Sequence, residues 1–166
     1  LEDHTDRLFK SAETVSMKIP FSQIQLNDAH KQVIKLNNLT EAYIRPMCFY
    51  GSEGMGLRAD NLEVHCMVAA WEWPSYMEPE AREKGIKVKL SSYTRQVRNP
   101  VSSAKVNGNY VHSIVALNEA LSEGFDEALM LDAEGNIAEG SGENFFIVKD
   151  NVLITPDLDA SLDGIT

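Results

Sequence analysis

Ser102-Ser103-Ala104-Lys105-Val106-Asn107-Gly108-Asn109-Tyr110 and Ile137-Ala138-Glu139-Gly140-Ser141-Gly142-Glu143-Asn144-Phe145-Phe146 are the stretches that decide how this chain is read. The first sets a lysine among small residues, just ahead of a helix-like run. The second sets two acids in a glycine-rich turn that leads into an apolar strand. A lysine with no bulky neighbours can stand at the back of a pocket and offer its amine to a carbonyl, a chemistry that depends on its environment. A carboxylate carried in by a distant turn can face the same pocket. Taken by itself, a single lysine is usually a solvated surface charge.

Composition narrows the function classes. The chain has 166 residues, with 43% hydrophobic and 24% charged residues, as in soluble globular domains. A net charge of −10 speaks against nucleic acid and against anionic membranes, because phosphate binding needs a concentrated positive surface. Cys48 and Cys66 both fall in apolar strand-like runs, and they read as small buried hydrophobes of a reducing, cytoplasmic setting rather than as a disulfide framework. His4, His30, His65 and His112 are scattered without metal-ligand spacing, so no metal site is expected. No apolar run reaches the ~18–20 residues of a membrane span. The pattern starts in mid-helix at Leu1 and stops at the approach to another helix at Thr166, so the chain reads as a piece of something longer.

Upstream of the two stretches, residues 1–17 have helical spacing, with Leu8, Ala12 and Val15 in one stripe. Arg7 lies beside that stripe and reads, on pattern alone, as a solvated helix charge. Ser22 followed by Gln25 is a capping-box start for a second helix, whose apolar face is Leu26, Ala29, Val33 and Leu36. From Glu41 the period changes to two. Tyr43, Arg45 and Met47 share one face of a strand, Ile44 and Cys48 the other. Arg45 either leaves by an edge to solvent or points into a polar cavity. A glycine-bearing loop, 51–61, leads into a second strand, 62–73. Trp71, Trp73 and Tyr76 are rim aromatics or an apolar pocket wall. A short helix at 78–84 and a strand at 86–93 follow. Residues 94–100 break every periodicity and read as a linker between a domain at 1–93 and another at 101–166. Beyond it, a helix at 109–123 presents Val111, Ile114, Val115 and Leu121 inward. A strand at 127–131, a hairpin turn at 132–135 with a return strand from Ile137, and a second hairpin, 145–155, turned at Asp150-Asn151, complete the pattern.

Five pieces in order along the chain carry a family resemblance. They are His4-x-x-Arg7-Leu8-x-x-Ser11-Ala12, Tyr43-Ile44-Arg45-Pro46, Ala104-Lys105-x-x-Gly108-Asn109-Tyr110, Glu139-Gly140-x-Gly142-Glu143-Asn144 and Gly164-Ile165-Thr166. Together they resemble the fold-type IV pyridoxal-phosphate enzymes, and within them the branched-chain amino acid aminotransferases. The resemblance implies a mixed α+β fold: a small α/β domain followed by the first part of a larger β-rich domain. It also implies pyridoxal 5'-phosphate as cofactor, amino acids and 2-oxo acids as substrates, and a homodimer or higher homo-oligomer.

The resemblance assigns roles residue by residue. Lys105 would be the catalytic lysine that takes the cofactor as a Schiff base and then shuttles a proton. Glu139 would hold the proton on the cofactor's ring nitrogen, and Tyr110 would sit near the ring oxygen. Arg7, with Leu162, Gly164, Ile165 and Thr166 at a helix start, would take the phosphate. Tyr43, Arg45, Trp73, Tyr76 and Tyr110 would form the substrate pocket, with Arg45 meeting the second carboxylate of glutamate. Leu57 would be lent to a partner subunit. Glu143 and Asn144 read either as turn-stabilising polar residues or as supports of Glu139. The sequence departs from the family at Asn107, where glycine is common, and at Asp163, where proline is. A D-amino acid aminotransferase or aminodeoxychorismate lyase of the same fold, or a catalytically incompetent fragment, are the alternatives.

Overall fold

The computed structural model describes residues 1–73, 79–95 and 99–165, which form two compact units, Leu1–Tyr76 and Met77–Thr166. Helices and strands are mixed in both.

The first unit holds helices α1 (Glu2–Thr14) and α2 (Gln23–Leu36) and strands β1 (Tyr43–Tyr50) and β2 (Val64–Trp71). The capping box is present: the Gln25 N–H donates to Ser22 Oγ at 3.2 Å, and the Ser22 N–H donates to Gln25 Oε1 at 2.8 Å. Such a cap contributes about 1 kcal/mol to a helix start. α1 packs on α2 and α2 on β2. Between the helices the buried residues are Thr5, Ser11, Ala12, Leu26 and His30, while Leu36, expected on the inner face, is exposed. Thr5 and His30 win those inner positions from larger apolar residues; Thr5 Oγ1 donates to Asn27 Oδ1 at 2.6 Å. β1 and β2 pair antiparallel from Tyr43↔Trp71 to Tyr50↔Val64. Pro46 is tolerated there because, among the described residues, the ladder has two strands and each keeps an unpaired edge.

In the second unit, α3 (Pro79–Lys84) precedes β3 (Val88–Leu90), α4 (Tyr110–Ser122), β4 (Glu127–Leu131) and β5 (Ile137–Gly140). The sheet order is β3-β4-β5, with β3 parallel to β4 and β5 antiparallel to it. α4 is thus the crossover of a β-α-β unit. The strand read as the end of a domain at 1–93 is instead bonded into the second unit, because its parallel partner is β4. A hairpin of β6 (Ile147–Lys149) and β7 (Val152–Ile154) follows, turned by Asp150 and Asn151 at φ 51° and 61°. Two successive positive φ values give the mirror-image turn that matches strand twist.

The core here is built of small residues. Ala116 and Ala120 of α4 meet Ala128 and Met130 of β4, with Phe125 at the side. Burying Met130 fully is worth about 1.5–3 kcal/mol. The expected inner face of α4 is its outer one: Val111 and Ile114 are 59% and 57% exposed, and Val115 and Leu121 are exposed too. The helical period holds, but the alanine and serine face (Ser113, Ala116, Ala120) lies on the sheet because small side chains allow the backbones to approach closely. No helix among the described residues is long and apolar enough to cross a membrane.

Candidate active site

The turn at 101–109 is tied together by the Asn109 side chain, with Asn99 accepting from the Val101 and Ser102 N–H groups at its start. Asn109 Nδ2 donates to the carbonyls of Val101 at 2.8 Å and Ala104 at 2.9 Å. The Val106 N–H donates to the Ala104 carbonyl at 2.9 Å, and a single 3-10 turn, Asn107–Asn109, joins the segment to α4. Ala104 is buried and Lys105 is exposed, so the small residue anchors the turn while the lysine reaches outward. Lys105 Nζ donates to Tyr110 Oη at 2.6 Å and lies 5.2 Å from the centre of that ring.

Glu139 arrives on β5, opposite Met130 of β4. Its Oε1 is 2.6 Å from Arg95 Nη2, and its Oε2 accepts from the Leu162 N–H at 2.8 Å. The side chains of Arg95 and Glu139 are only 10% and 9% exposed. Arg95 is fixed in turn: its N–H donates to the Leu131 carbonyl at 2.8 Å and its Nε to the Ala160 carbonyl at 3.4 Å. Burial pushes the Glu139 carboxyl above its usual range. The Leu162 N–H and the charges of Arg95 and Lys105 pull it back without cancelling that rise. Nothing in the sequence singles out Arg95, because the residues around it carry no periodic pattern.

Glu143 and Asn144 support the turn. The Gly140 N–H donates to the Glu143 carbonyl at 2.8 Å, and the Gly142 N–H to Glu143 Oε2 at 3.1 Å. A Cβ at Gly140 would stand 2.8 Å from Glu143 Oε2 and 3.3 Å from the Glu143 carbonyl oxygen, so a larger residue there would press on the Glu143 backbone and displace its side chain. Asn144 Nδ2 donates to the Leu162 carbonyl at 2.8 Å. Leu162 is thus tied twice, by its N–H to Glu139 and by its carbonyl to Asn144. Behind the turn, burial raises the Glu127 carboxyl, while the Ser141 and Ala128 N–H groups bond to it.

Lys105, Tyr110, Glu139, Arg95, Asn144 and Leu162 all line one cleft of about 390 Å³, counting its open mouth. An amine, a phenol and a buried, clamped carboxylate therefore face one space. Gly164 and Ile165 are exposed, and a Cβ at Gly164 would collide with Asn144 Oδ1. Thr166 and Tyr76 lie outside the described residues.

The remaining expected site residues are in the first unit. Arg7 is half-buried on α1, its Nη2 3.5 Å from His4 Nδ1. Arg45 leaves β1 on its exposed face, with its guanidinium 5.2 Å from the Tyr43 ring centre and 5.4 Å from that of Trp71. Tyr43, Trp71 and Trp73 form a ring cluster with centroids 4.9–5.7 Å apart. Leu57 is fully exposed in its loop. Among the described residues, Glu53, Glu63 and His65 come nearest to a metal-ligand arrangement, with ligand atoms within 4.8 Å of one another at the surface. Glu53 there already accepts from the Glu63 N–H at 3.2 Å and lies 3.9 Å from His65 Nε2.

The sequence matches the family described as amino-transferase class IV over residues 1–166. It is 56% identical over 167 residues to the branched-chain-amino-acid aminotransferase of Pseudomonas aeruginosa PAO1, covering all of this chain and 54% of that protein. The crystal structure of the Escherichia coli branched-chain amino acid aminotransferase superposes with a TM-score of 0.94 at 40% identity, over 99% of this chain and 55% of that one. A branched-chain aminotransferase from the archaeon Thermoproteus uzoniensis, crystallised with norvaline, superposes with a TM-score of 0.91 at 36% identity, over 100% and 56%. The chain spans about half the length of the relatives it matches. The family match along residues 1–166 and the superpositions show that this chain belongs to the class IV aminotransferase family and shares the fold-type IV architecture over about half the length of those relatives.

Proposed function

We propose that the whole protein transfers amino groups between branched-chain L-amino acids (leucine, isoleucine and valine) and 2-oxoglutarate, with pyridoxal 5'-phosphate held at Lys105. The observation that carries this reading is the convergence of Lys105, Tyr110 and the Arg95-clamped Glu139 on one cleft. The donor set suits the cofactor: a primary amine for an aldehyde, and a buried carboxylate for a ring nitrogen. When bound, the cofactor supplies an electrophilic carbon and an electron-withdrawing ring.

The chain's own groups do the rest. Tyr110 orients the Lys105 amine through its hydroxyl, so that amine would be placed to hold the cofactor and to move a proton at the substrate Cα. Glu139 keeps a proton on the ring nitrogen. Arg95 and the Leu162 N–H hold both of its oxygens, so its carboxylate cannot swing away. In this reading Arg7 and the backbone at Gly164, Ile165 and Thr166 take the phosphate. Arg45, ringed by Tyr43 and Trp71, meets the second carboxylate of glutamate, and Trp73 and Tyr76 add apolar wall for branched side chains. The names of the similar enzymes support this substrate class. A homodimer in the cytoplasm, with the exposed Leu57 loop reaching a second subunit, belongs to the same proposal.

Borohydride reduction of the full-length protein with pyridoxal 5'-phosphate, followed by peptide mapping, should place the cofactor on Lys105. Lys105→Ala should lose labelling and transamination while keeping its far-UV circular dichroism. A label on Lys10 or Lys149 would overturn the assignment.

A further inference from the structure

The first unit contains a pair of sulfur groups that the transamination reading does not use. Cys48 of β1 and Cys66 of β2 stand directly opposite one another in the ladder. Directly opposed antiparallel residues have Cα atoms about 4.5–5.5 Å apart. That range lies inside the ~4.4–6.8 Å window of disulfides. Opposed residues also send their side chains to the same face, and here the two Sγ atoms are 3.1 Å apart. The paired neighbours Met47↔Met67 and Phe49↔His65 hold the register on both sides, so the two sulfurs stay opposite one another. Both thiols are free, both are partly buried, and this chain has no other cysteine.

We propose that Cys48 and Cys66 form a reversible modification site: a dithiol that an oxidised low-molecular-weight thiol, such as glutathione disulfide, converts to a cross-strand disulfide. The Cys66 thiolate attacks one sulfur of the oxidant, forming a mixed disulfide and releasing one thiolate. The Cys48 thiolate then attacks Cys66 Sγ, forming the cross-link and expelling the second thiolate. The two protein protons pass to the two released thiolates, so two protein thiols are oxidised and one disulfide is reduced.

The order of attack follows from the surroundings. The Cys48 thiol is pushed up to about 12, first by burial, then by its hydrogen bond to Cys66 and by the Cys66 charge. It is therefore the slower first nucleophile. Once Cys66 is in a mixed disulfide, the two contributions that come from Cys66 are gone and only burial remains. Contact with the reacting sulfur then makes the second step intramolecular. The link would tie residues 18 positions apart and close the segment that carries Leu57. It would do so on the sheet face opposite Tyr43 and Arg45, without touching them.

The test uses the native full-length protein, exposed to glutathione disulfide, alkylated, and digested with trypsin. Peptides 36–58 and 59–82, separated by cleavage after Arg58, should appear as one linked species from a band that runs as a monomer without reductant. Reductant should release them, and alkylation of both cysteines should be lost from the oxidised sample. Cys48→Ser should keep a stable glutathione adduct on Cys66 where the wild type sheds it. The proposal falls if wild type keeps adducts on either peptide, or if the link joins two chains. It also falls if both thiols stay free after an exposure that oxidises the urea-unfolded protein.

Discussion

Arg95→Met tests the clamp on Glu139. At 2.6 Å, two full charges attract by about 6 kcal/mol if the effective dielectric constant is roughly 20. Desolvation offsets part of that attraction in the intact pair. Removing one partner of a buried pair leaves the other uncompensated and typically costs about 3–5 kcal/mol. The Leu162 N–H and the Lys105 charge remain, so the lower end of that range is expected. Denaturant titration of the full-length apoprotein is the assay, since bound cofactor would add its own linkage. The pH dependence has a definite sign. Burial already raises the Glu139 carboxyl in the folded state, and loss of the guanidinium raises it further. A carboxyl raised on folding contributes stability that is present below its unfolded value and lost as pH rises through the folded one. The penalty in Arg95→Met should therefore grow as pH rises above roughly 4 and shrink below it. Glu139→Gln leaves the guanidinium buried and unpaired, and the double variant removes both charges. The double variant should lose less than the sum of the singles. Strict additivity, or a loss under about 1 kcal/mol that is flat with pH, would refute the clamp.

Three further outcomes are expected. His30 is 1% exposed and neither ring nitrogen has a hydrogen-bond partner, and burial lowers its proton affinity. Its stabilising contribution is present above its unfolded value near 6.5 and lost as pH falls through the depressed folded one, so His30→Leu should be neutral or stabilising and should remove the part of the fall in denaturation midpoint that sets in as pH drops below about 6.5. Glu119 ties the end of β3 to α4 by accepting from Ser91 Oγ at 2.7 Å and from the Ser92 hydroxyl at 2.5 Å and its N–H at 3.0 Å, and these bonds depress its carboxyl to about 2. Its contribution is present above the usual carboxylate value and lost as pH falls through about 2, so Glu119→Gln should be less stable at neutral pH and the difference should close in acid. Arg45→Ala should slow the glutamate half-reaction more than the leucine half-reaction in single-turnover kinetics, by the roughly 2–5 kcal/mol of a lost charge-assisted pair. Equal losses would make Arg45 a purely structural group.

Local chemistry was legible along the whole chain. The Ser22–Gln25 cap, the Asp150–Asn151 turn, the hairpin at 132–135 and the strand at 127–131 all depend on residues close in sequence, and all are where the pattern put them. Lys105 and Glu139 could be singled out because small-residue and glycine-rich segments advertise close approach. What lies around them could not be. Arg95 sits in a segment with no period, and only tertiary contact turns it from a linker charge into the partner of Glu139. The Leu162 N–H bond is of the same kind. The parallel pairing of β3 with β4, which moves that strand into the second unit, depends on a crossover that no local window contains. α4 had a readable period but not a readable face, because the alanine face and the larger apolar face are both hydrophobic. Close packing against β4 selected the smaller one. Cys48 and Cys66 were each visible as strand residues, but only the strand register set their sulfurs in contact. Periodicity reports which residues share a face of one element; which face is buried, and against what, is decided by the free energy of long-range packing and pairing.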